Sequence, residues 1–236
     1  MHEQGPRYAI YFVPARDSDL FRFGSAVLGY DCHMGDDLEF PDDLAIDHDT
    51  WRALTEEPRR YGFHATLKAP FRLAPGRTEA ALTRAVHEFA AQPQPIVRFA
   101  PDVRRIGAFT AIVPREPCAA LTDLANRCTI AFDPFRAPMS GEERERRLAG
   151  GLSAPQVQNL DRWRYPYVFD DFRFHMTLTG RLPPERRDAV LAMLRRSFAA
   201  RGGGAPIAVD RLGLCKQDDA RGRFRVLGAA RLRERS

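Results

Sequence analysis

Apolar residues along the chain fall into two kinds of run. Some are short and alternating or continuous, broken at proline, glycine or aspartate; others recur every three or four residues. Arg7 to Val13 (RYAIYFV) is aromatic and β-branched and stops at Pro14, which has no N–H to donate, so it predicts a first strand. Ser18 to Leu28 carries Leu20, Phe21, Ala26, Val27 and Leu28 at roughly helical spacing, with Asp17 or Ser18 supplying an N-cap oxygen. From Gly29 to Arg60 the pattern gives way to an acidic, turn-rich stretch in which Asp49 to Leu54 predicts a short helix. Tyr61 to Leu73 reads as a strand. Thr78 to about Ala91 reads as an amphipathic helix with Leu82, Val86 and Phe89 on one face. Ile96 to Ile106, interrupted at Pro101, and Ala108 to Val113 complete the first series as strands that turn at Gly107.

The second half repeats this order. Phe172 to Leu182 is strand-like, Pro183-Pro184 open a helix through Val190, Leu191, Leu194 and Phe198, and Gly202-Gly203-Gly204 break it. Ile207 to Leu214 and Phe224 to Leu232 then read as strands. Both series are strand, helix, strand, strand, and both place a matching triplet late, Arg105-Ile106-Gly107 and Arg211-Leu212-Gly213. The repeat units run over about 61–115 and 172–233. Between them, a helix around Cys118 to Ile130 is followed by a segment, about 133–167, with no counterpart; it contains a charged helix near Gly141 to Gly151 and reads as a helical insertion in a single bilobal domain.

Composition narrows the class without choosing a function. With 236 residues, 44% hydrophobic and 28% charged, the chain can bury a sizeable core and is not of disordered type. The formal net charge of +5 favours anionic ligands mildly, without the dense basic blocks of duplex binders. No apolar stretch approaches the roughly 20 residues of a membrane helix. The opening Met-His-Glu-Gln-Gly-Pro-Arg has no secretory pattern, so the expected location is the cytoplasm. Cys32, Cys118, Cys128 and Cys215 are widely spread with no C-x-x-C pair, which predicts reduced, structural thiols.

The chemistry lies at the starts of the two repeats: Phe63-His64-Ala65-Thr66-Leu67 and Phe174-His175-Met176-Thr177-Leu178. At this composition a given histidine meets F-H-x-T-L by chance on the order of once in 4,000, and here two do. In an extended strand His64 and Thr66 project to one side and Phe63, Ala65 and Leu67 to the other; the same holds for His175 and Thr177. If the copies face one another across a pseudo-twofold, one cleft receives two imidazoles and two hydroxyls. One neutral histidine can then deprotonate a nucleophile, the other as imidazolium can protonate a leaving oxygen, and the threonines can donate to non-bridging phosphate oxygens. The scheme calls for no metal and no cofactor. Continued alternation adds Lys68 to the first face and Thr179 and Arg181 to the second. Lys68 and Arg181 become candidate phosphate contacts, although solvated charges at a strand end would look the same.

With these motifs in place, the chain resembles the two-histidine (2H) phosphoesterases. RYAIYFVP, YGFHATLKAPFRL and FHMTLTGRL look like the branch encoded among phosphonate-utilisation genes. The resemblance implies a LigT-like α+β fold of two duplicated lobes with antiparallel sheets around a central cleft. It implies His64 and His175 as the catalytic pair and Thr66 and Thr177 as phosphate-oxygen donors. The activity it implies is metal-independent opening of a cyclic phosphate or cleavage of a related 2′-phosphodiester. For the branch it implies a phosphorylated ribose cyclic phosphate as substrate. The rivals are an RNA-end-processing phosphodiesterase or 2′–5′ ligase, and a non-catalytic module binding nucleotides or RNA ends; mild charge favours a small substrate over a polynucleotide. Neither a membrane nor an obligatory protein partner is indicated.

Other features have plainer readings. His2 is terminal, His33 and His48 sit in the acidic loop and His87 on an amphipathic helix. The acidic Asp31 to Asp49 stretch matches no calcium or zinc spacing and reads as a solvated turn segment. Glu142 to Arg147 (EERERR) reads as a solvated helix face. Trp163, Tyr165, Tyr167 and Phe169 alternate as in a strand, and either pack in the core or cover the cleft.

Overall fold

The first strand forms as β1 (Arg7–Phe12), buried on both faces, and α1 (Asp19–Leu28) follows, capped by the Ser18 hydroxyl accepting from Phe21 N–H and closed by Gly29 in the left-handed region. These elements belong to a computed structural model that describes residues 5–235; residues 1–4, with His2 and the opening sequence, and Ser236 lie outside the described residues. The acidic stretch holds more structure than its pattern suggested: a hairpin of β2 (Tyr30–Asp31) and β3 (Asp36–Asp37), then α2 (His48–Leu54) and α3 (Glu56–Arg59). Asp31 is 5% exposed, pairs with Arg16 and accepts the N–H groups of His33 and Met34, so it pins the turn and is not solvated.

The first repeat unit supplies β4 (Ala65–Phe71), α4 (Glu79–Ala91), β5 (Val97–Phe99), β6 (Pro101–Ile106) and β7 (Phe109–Pro114). Then come α5 (Ala119–Phe132), α6 (Gly141–Leu148) and α7 (Ala154–Trp163). The second unit supplies β8 (Met176–Thr177), α8 (Arg187–Ala200), β9 (Ile207–Val209), β10 (Arg211–Gln217) and β11 (Arg225–Arg231). The fold is α+β: one seven-stranded sheet, β11-β10-β1-β4-β8-β7-β6, antiparallel at every pairing, with two small two-stranded sheets, β2-β3 and β5-β9.

The two units exchange strands. Each contributes its motif strand to the centre of the sheet, but the β6–β7 hairpin of the first lies beside β8 of the second, and the β10–β11 hairpin of the second lies on the β1–β4 side. The helices follow the exchange, α4 packing on β10 and β11, and α8 on β6. β5 and β9, equivalent in the two units, pair with each other. β1 stands outside the duplication, between β4 and β10.

Two expected strands are shorter than their patterns. β4 begins just after His64, and β8 holds two residues of the eleven in Phe172 to Leu182. Beyond Thr177 the N–H groups of both Leu178 and Thr179 reach the Thr110 carbonyl, and Gly180 N–H turns away to Leu54 C=O. Alternation ends there: Leu178 and Thr179 are both buried, and Arg181 is exposed. The Trp163 to Phe169 aromatics do not form a strand either; Trp163 ends α7, and Arg164 and Phe169 both take left-handed backbone, φ 61° and 55°.

Lys68 is also differently placed from its expected role. Its ammonium donates to the Thr129 carbonyl at 2.9 Å and sits 3.0 Å from Asp133 Oδ1, tying β4 to the end of α5 where the insertion departs. The two side chains are 4% and 18% exposed. Burial alone would raise the Asp133 carboxyl, but hydrogen bonds from Arg136 and Lys68 hold it below the usual carboxylate range. Removing the carboxylate strands a buried ammonium: Asp133→Ala should cost on the order of 3 kcal/mol in urea unfolding, with Lys68→Met closer to neutral. A second prediction concerns α1. A Cβ on Gly24 would lie 2.3 Å from the Phe63 ring, next to His64, so Gly24→Ala should lower the unfolding free energy by about 1–3 kcal/mol at unchanged m-value.

Candidate active site

The two motifs meet at one backbone pairing, Ala65 opposite Met176 across β4 and β8. These are the middle residues of H-A-T and H-M-T. Extending the antiparallel register one residue each way sets His64 opposite Thr177 and Thr66 opposite His175, all four on the face away from Ala65 and Met176. Direct cross-strand neighbours have Cβ atoms about 5 Å apart, and the histidines, on the diagonal, have Cβ atoms somewhat less than about 7–8 Å apart. The other face is closed: Phe63, Ala65, Leu67, Phe174, Met176 and Leu178 are all buried in the core.

Both imidazoles are held in the same way. Nδ1 of His64 is 2.9 Å from the Gly62 carbonyl and Nδ1 of His175 is 2.7 Å from the Arg173 carbonyl, each two residues upstream. A carbonyl can only accept, so Nδ1 carries the proton in both rings and Nε2 offers its lone pair. At His64 that lone pair is 3.3 Å from the Thr66 hydroxyl, which donates to it. The Tyr11 ring stacks on His64 with centroids 3.8 Å apart; Tyr11 is itself buried against Phe224. Burial pushes His64 down to about 4, with a smaller contribution from the neighbouring His175, and burial also lowers His175. Burial thus disfavours the charged form of both rings when no anion is bound.

A cavity of about 1260 Å³ opens beside the motif face. Thr66, Lys68 and His175 line it, but Lys68 presents a wall held by Asp133 and not a free ammonium. Arg181 lies outside the lining, on the exposed turn after β8. The far wall belongs to the insertion: Arg146, Arg147, Trp163, Arg164, Tyr165 and Tyr167 line the cavity. The EERERR helix is thus not wholly a solvated face, and three of the four aromatics cover the cleft, whereas Phe169 packs on Trp163. Arg164 is the residue sequence reasoning missed. Its backbone is left-handed, its carbonyl accepts from Arg147, and its Nε is buried with no hydrogen-bond partner. The Asn126 side-chain oxygen, also in the lining, is buried and unpartnered too. Neither has a local pattern that marks it out. The arrangement can hold an anion at the motif face and a larger body against arginine and aromatic rings. Among the described residues no three His, Cys, Asp or Glu side chains converge as a metal-ligating group, and no helix is long and apolar enough to cross a membrane.

Comparison with known proteins follows this geometry. A curated protein named Ribose 1,5-bisphosphate phosphokinase PhnN, from Janthinobacterium sp. (strain Marseille), is 36% identical over 219 residues, covering 92% of this chain and 48% of that protein. The chain thus spans about half the length of that relative. Among solved structures, a conserved protein of unknown function from Agrobacterium tumefaciens str. C58 is similar at a TM-score of 0.44 and 12% identity, over 94% of this chain and 85% of that one. E. coli LigT, solved with NADP+, is similar at a TM-score of 0.40 and 16% identity, over 98% and 99% of the two chains. The family described as Protein of unknown function (DUF1045) matches residues 66–225, more than half the chain, from the first motif threonine to the last strand, and the chain belongs to that family.

Proposed function

We propose that the chain is a two-histidine phosphoesterase that opens a cyclic phosphate, or cleaves a related 2′-phosphodiester, on a phosphorylated ribose. The observation that carries this is the Ala65–Met176 register, which gathers two Nε2 lone pairs and two hydroxyls on one face. Two such imidazoles on diagonal positions of adjacent strands can bracket a phosphodiester, one accepting a proton while the other, protonated, donates one. As the nucleophile's oxygen bonds to phosphorus, its proton passes to one Nε2. As the ester bond breaks, the leaving oxygen takes a proton from the other Nε2. Thr66 and Thr177 donate to the non-bridging oxygens, where negative charge grows.

The relative's name supports a phosphorylated ribose. The phosphokinase in that name is a different reaction, and the chain's only lysines, Lys68 and Lys216, follow Leu67 and Cys215, so neither is the lysine of a G-x-x-x-x-G-K-[S/T] phosphate loop. An enzyme that delivers a ribose phosphate monoester to such a kinase fits this half of the relative. Trp163, Tyr165 and Tyr167 in the cavity wall support a second reading, in which the substrate is an RNA end or nucleotide whose base stacks there. Turnover of cyclic ribose phosphates, cyclic mononucleotides and tRNA-type oligonucleotides, compared directly, separates the two. Saturable binding of all three without product would establish the binding module instead.

His64→Ala and His175→Ala should each lower turnover of the best substrate by about 10²-fold or more while the unfolding midpoint stays close to wild type, and activity should survive EDTA. An active double variant would refute the pair. The pH profile follows from the lowered imidazoles. The acid must be protonated, so kcat/KM should fall as pH rises through its free-enzyme value, below the ordinary 6.5 or so. Bound phosphate favours the imidazolium, so the alkaline limb of kcat should lie at higher pH. A kcat/KM limb above 7, or coincident limbs, would contradict the environment described for these rings.

A further inference from the structure

The cavity beside the motif face concentrates positive charge. Among the described residues, eight that line it are Lys or Arg and two are Asp or Glu, so the lining by itself accounts for the net +5 of the sequence. Most of these cations are engaged. Lys68 and Arg136 share Asp133, Arg147 pairs with Glu143 at 2.7 Å, and Arg7 donates to the Gln217 side-chain oxygen. Asp171, the other lining acid, accepts from Gln156 and Asn159. Two arginines of the insertion differ: among the described residues, the side chains of Arg146 and Arg164 make no ion pair and no hydrogen bond, and the Arg164 Nε is buried. Asp161, which Arg164 influences from a distance, is taken by Arg144 at 2.6 Å.

The insertion places this pair by its own structure. Arg144 on α6 forks onto Asp161 on α7 through two hydrogen bonds, 2.6 and 3.0 Å long. Arg147, at the end of α6, donates to the Arg164 carbonyl at 2.9 Å. The last turn of α6 therefore lies against the left-handed turn that closes α7, and Arg146 shares the cavity with Arg164. Two of the three arginines in EERERR thus build the wall, and the third is spare. A guanidinium nitrogen buried without an acceptor carries a desolvation cost, and beside a cavity the partner that removes it is a ligand oxygen.

We propose, resting on the phosphoesterase reading above, that Arg146 and Arg164 form a second anion subsite. It binds a phosphate monoester carried elsewhere on the sugar whose cyclic phosphate is opened at the motif face, and so selects a doubly phosphorylated substrate. The charges match. A phosphate monoester carries about −1.5 to −2 near pH 7, which suits two guanidinium groups, whereas the imidazoles and hydroxyls of the motif face suit a singly charged diester. The size matches as well: about 1260 Å³ exceeds the roughly 300–1,000 Å³ of ordinary small-molecule pockets, leaving room for a sugar with phosphate at both ends. The contact expected of Lys68 and Arg181 thereby falls to two residues outside the repeats.

The test is the ratio of kcat/KM for substrates that differ only in the distal group. Uridine 2′,3′-cyclic phosphate is compared with its 5′-phosphate, and ribose 1,2-cyclic phosphate with its 5-phosphate. The wild type should favour the 5-phosphorylated member of the pair it turns over. Arg146→Gln changes an exposed helical residue, and Arg164→Asn puts a residue that tolerates left-handed backbone at the turn. Each should lower the ratio by about 10-fold or more, with the loss in KM. A merely structural defect would slow both members together and leave the ratio unchanged. Ribose 5-phosphate, titrated by calorimetry, gives a readout without turnover, and each variant should bind it about 10-fold or more weakly than the wild type. An active wild type without the preference, or variants that keep both preference and affinity, would overturn the subsite and leave the phosphoesterase standing. A wild type inactive on all four substrates would count against the phosphoesterase reading, and the calorimetry would then decide the subsite alone.

Discussion

The fold turns on the pairing of Ala65 with Met176. It is a short contact: β8 has two residues, and the register between the motif strands is defined at one pair. Because side chains alternate every residue, a slip of one position would turn His64 and Thr66 into the core and Phe63 and Ala65 out to the cavity. Two hydrogen-bonding residues cannot fix that register alone. Burial does so, since Phe63, Ala65 and Met176 are at most 1% exposed and Phe174 is 6% exposed, and a slipped register would put histidine and threonine among them unpaired. The apolar face of the central strands thus fixes the polar face, and the site is a consequence of core packing on its reverse side.

The strand exchange strengthens the junction. Were each repeat unit to close on itself, the two halves would meet only through β4–β8 and the β5–β9 pair. Instead β7 lies against β8 while the β10–β11 hairpin sits beyond β1, and α4 and α8 cross with them, so each half of the sheet is built from both units. Separating the motifs would require dismantling both hairpins. Such a site is preorganised, and donors aimed at developing charge act best when they need not reorganise.

The repeated order of elements, most strands and the shared face of His64, Thr66, His175 and Thr177 were legible because each depends on local pattern: alternation, helical spacing and a matched pentapeptide. What was not legible depends on partners distant in sequence. Lys68 falls just past a register shift between β4 and β1 that local alternation does not foresee, and its ammonium goes to Asp133, 65 residues on, where α5 packs on the strand. Arg181 fails for a different reason: the chain leaves β8 at Thr177, drawn off by the Thr110 carbonyl, and extrapolated alternation had no strand to follow. Asp31 looked like one acid among many until Arg16 and two backbone N–H groups were found on it. Arg164 has no pattern because its role comes from a left-handed turn and an unpartnered Nε, both visible only in three dimensions.

Duplication by itself would give both histidines the same surroundings. The asymmetry comes from the two parts of the chain that have no copy. β1 stacks the buried Tyr11 ring against one histidine. The insertion, returning through Arg164 and Phe169 in left-handed backbone, walls the cavity with arginine and aromatic side chains. A non-glycine residue held at positive φ costs of order 1 kcal/mol and persists only where surrounding contacts overdetermine it; here two such residues bracket the segment carrying Tyr165 and Tyr167. The duplicated part of the chain thus supplies two imidazoles of equal kind, and the unduplicated parts supply what differs around them.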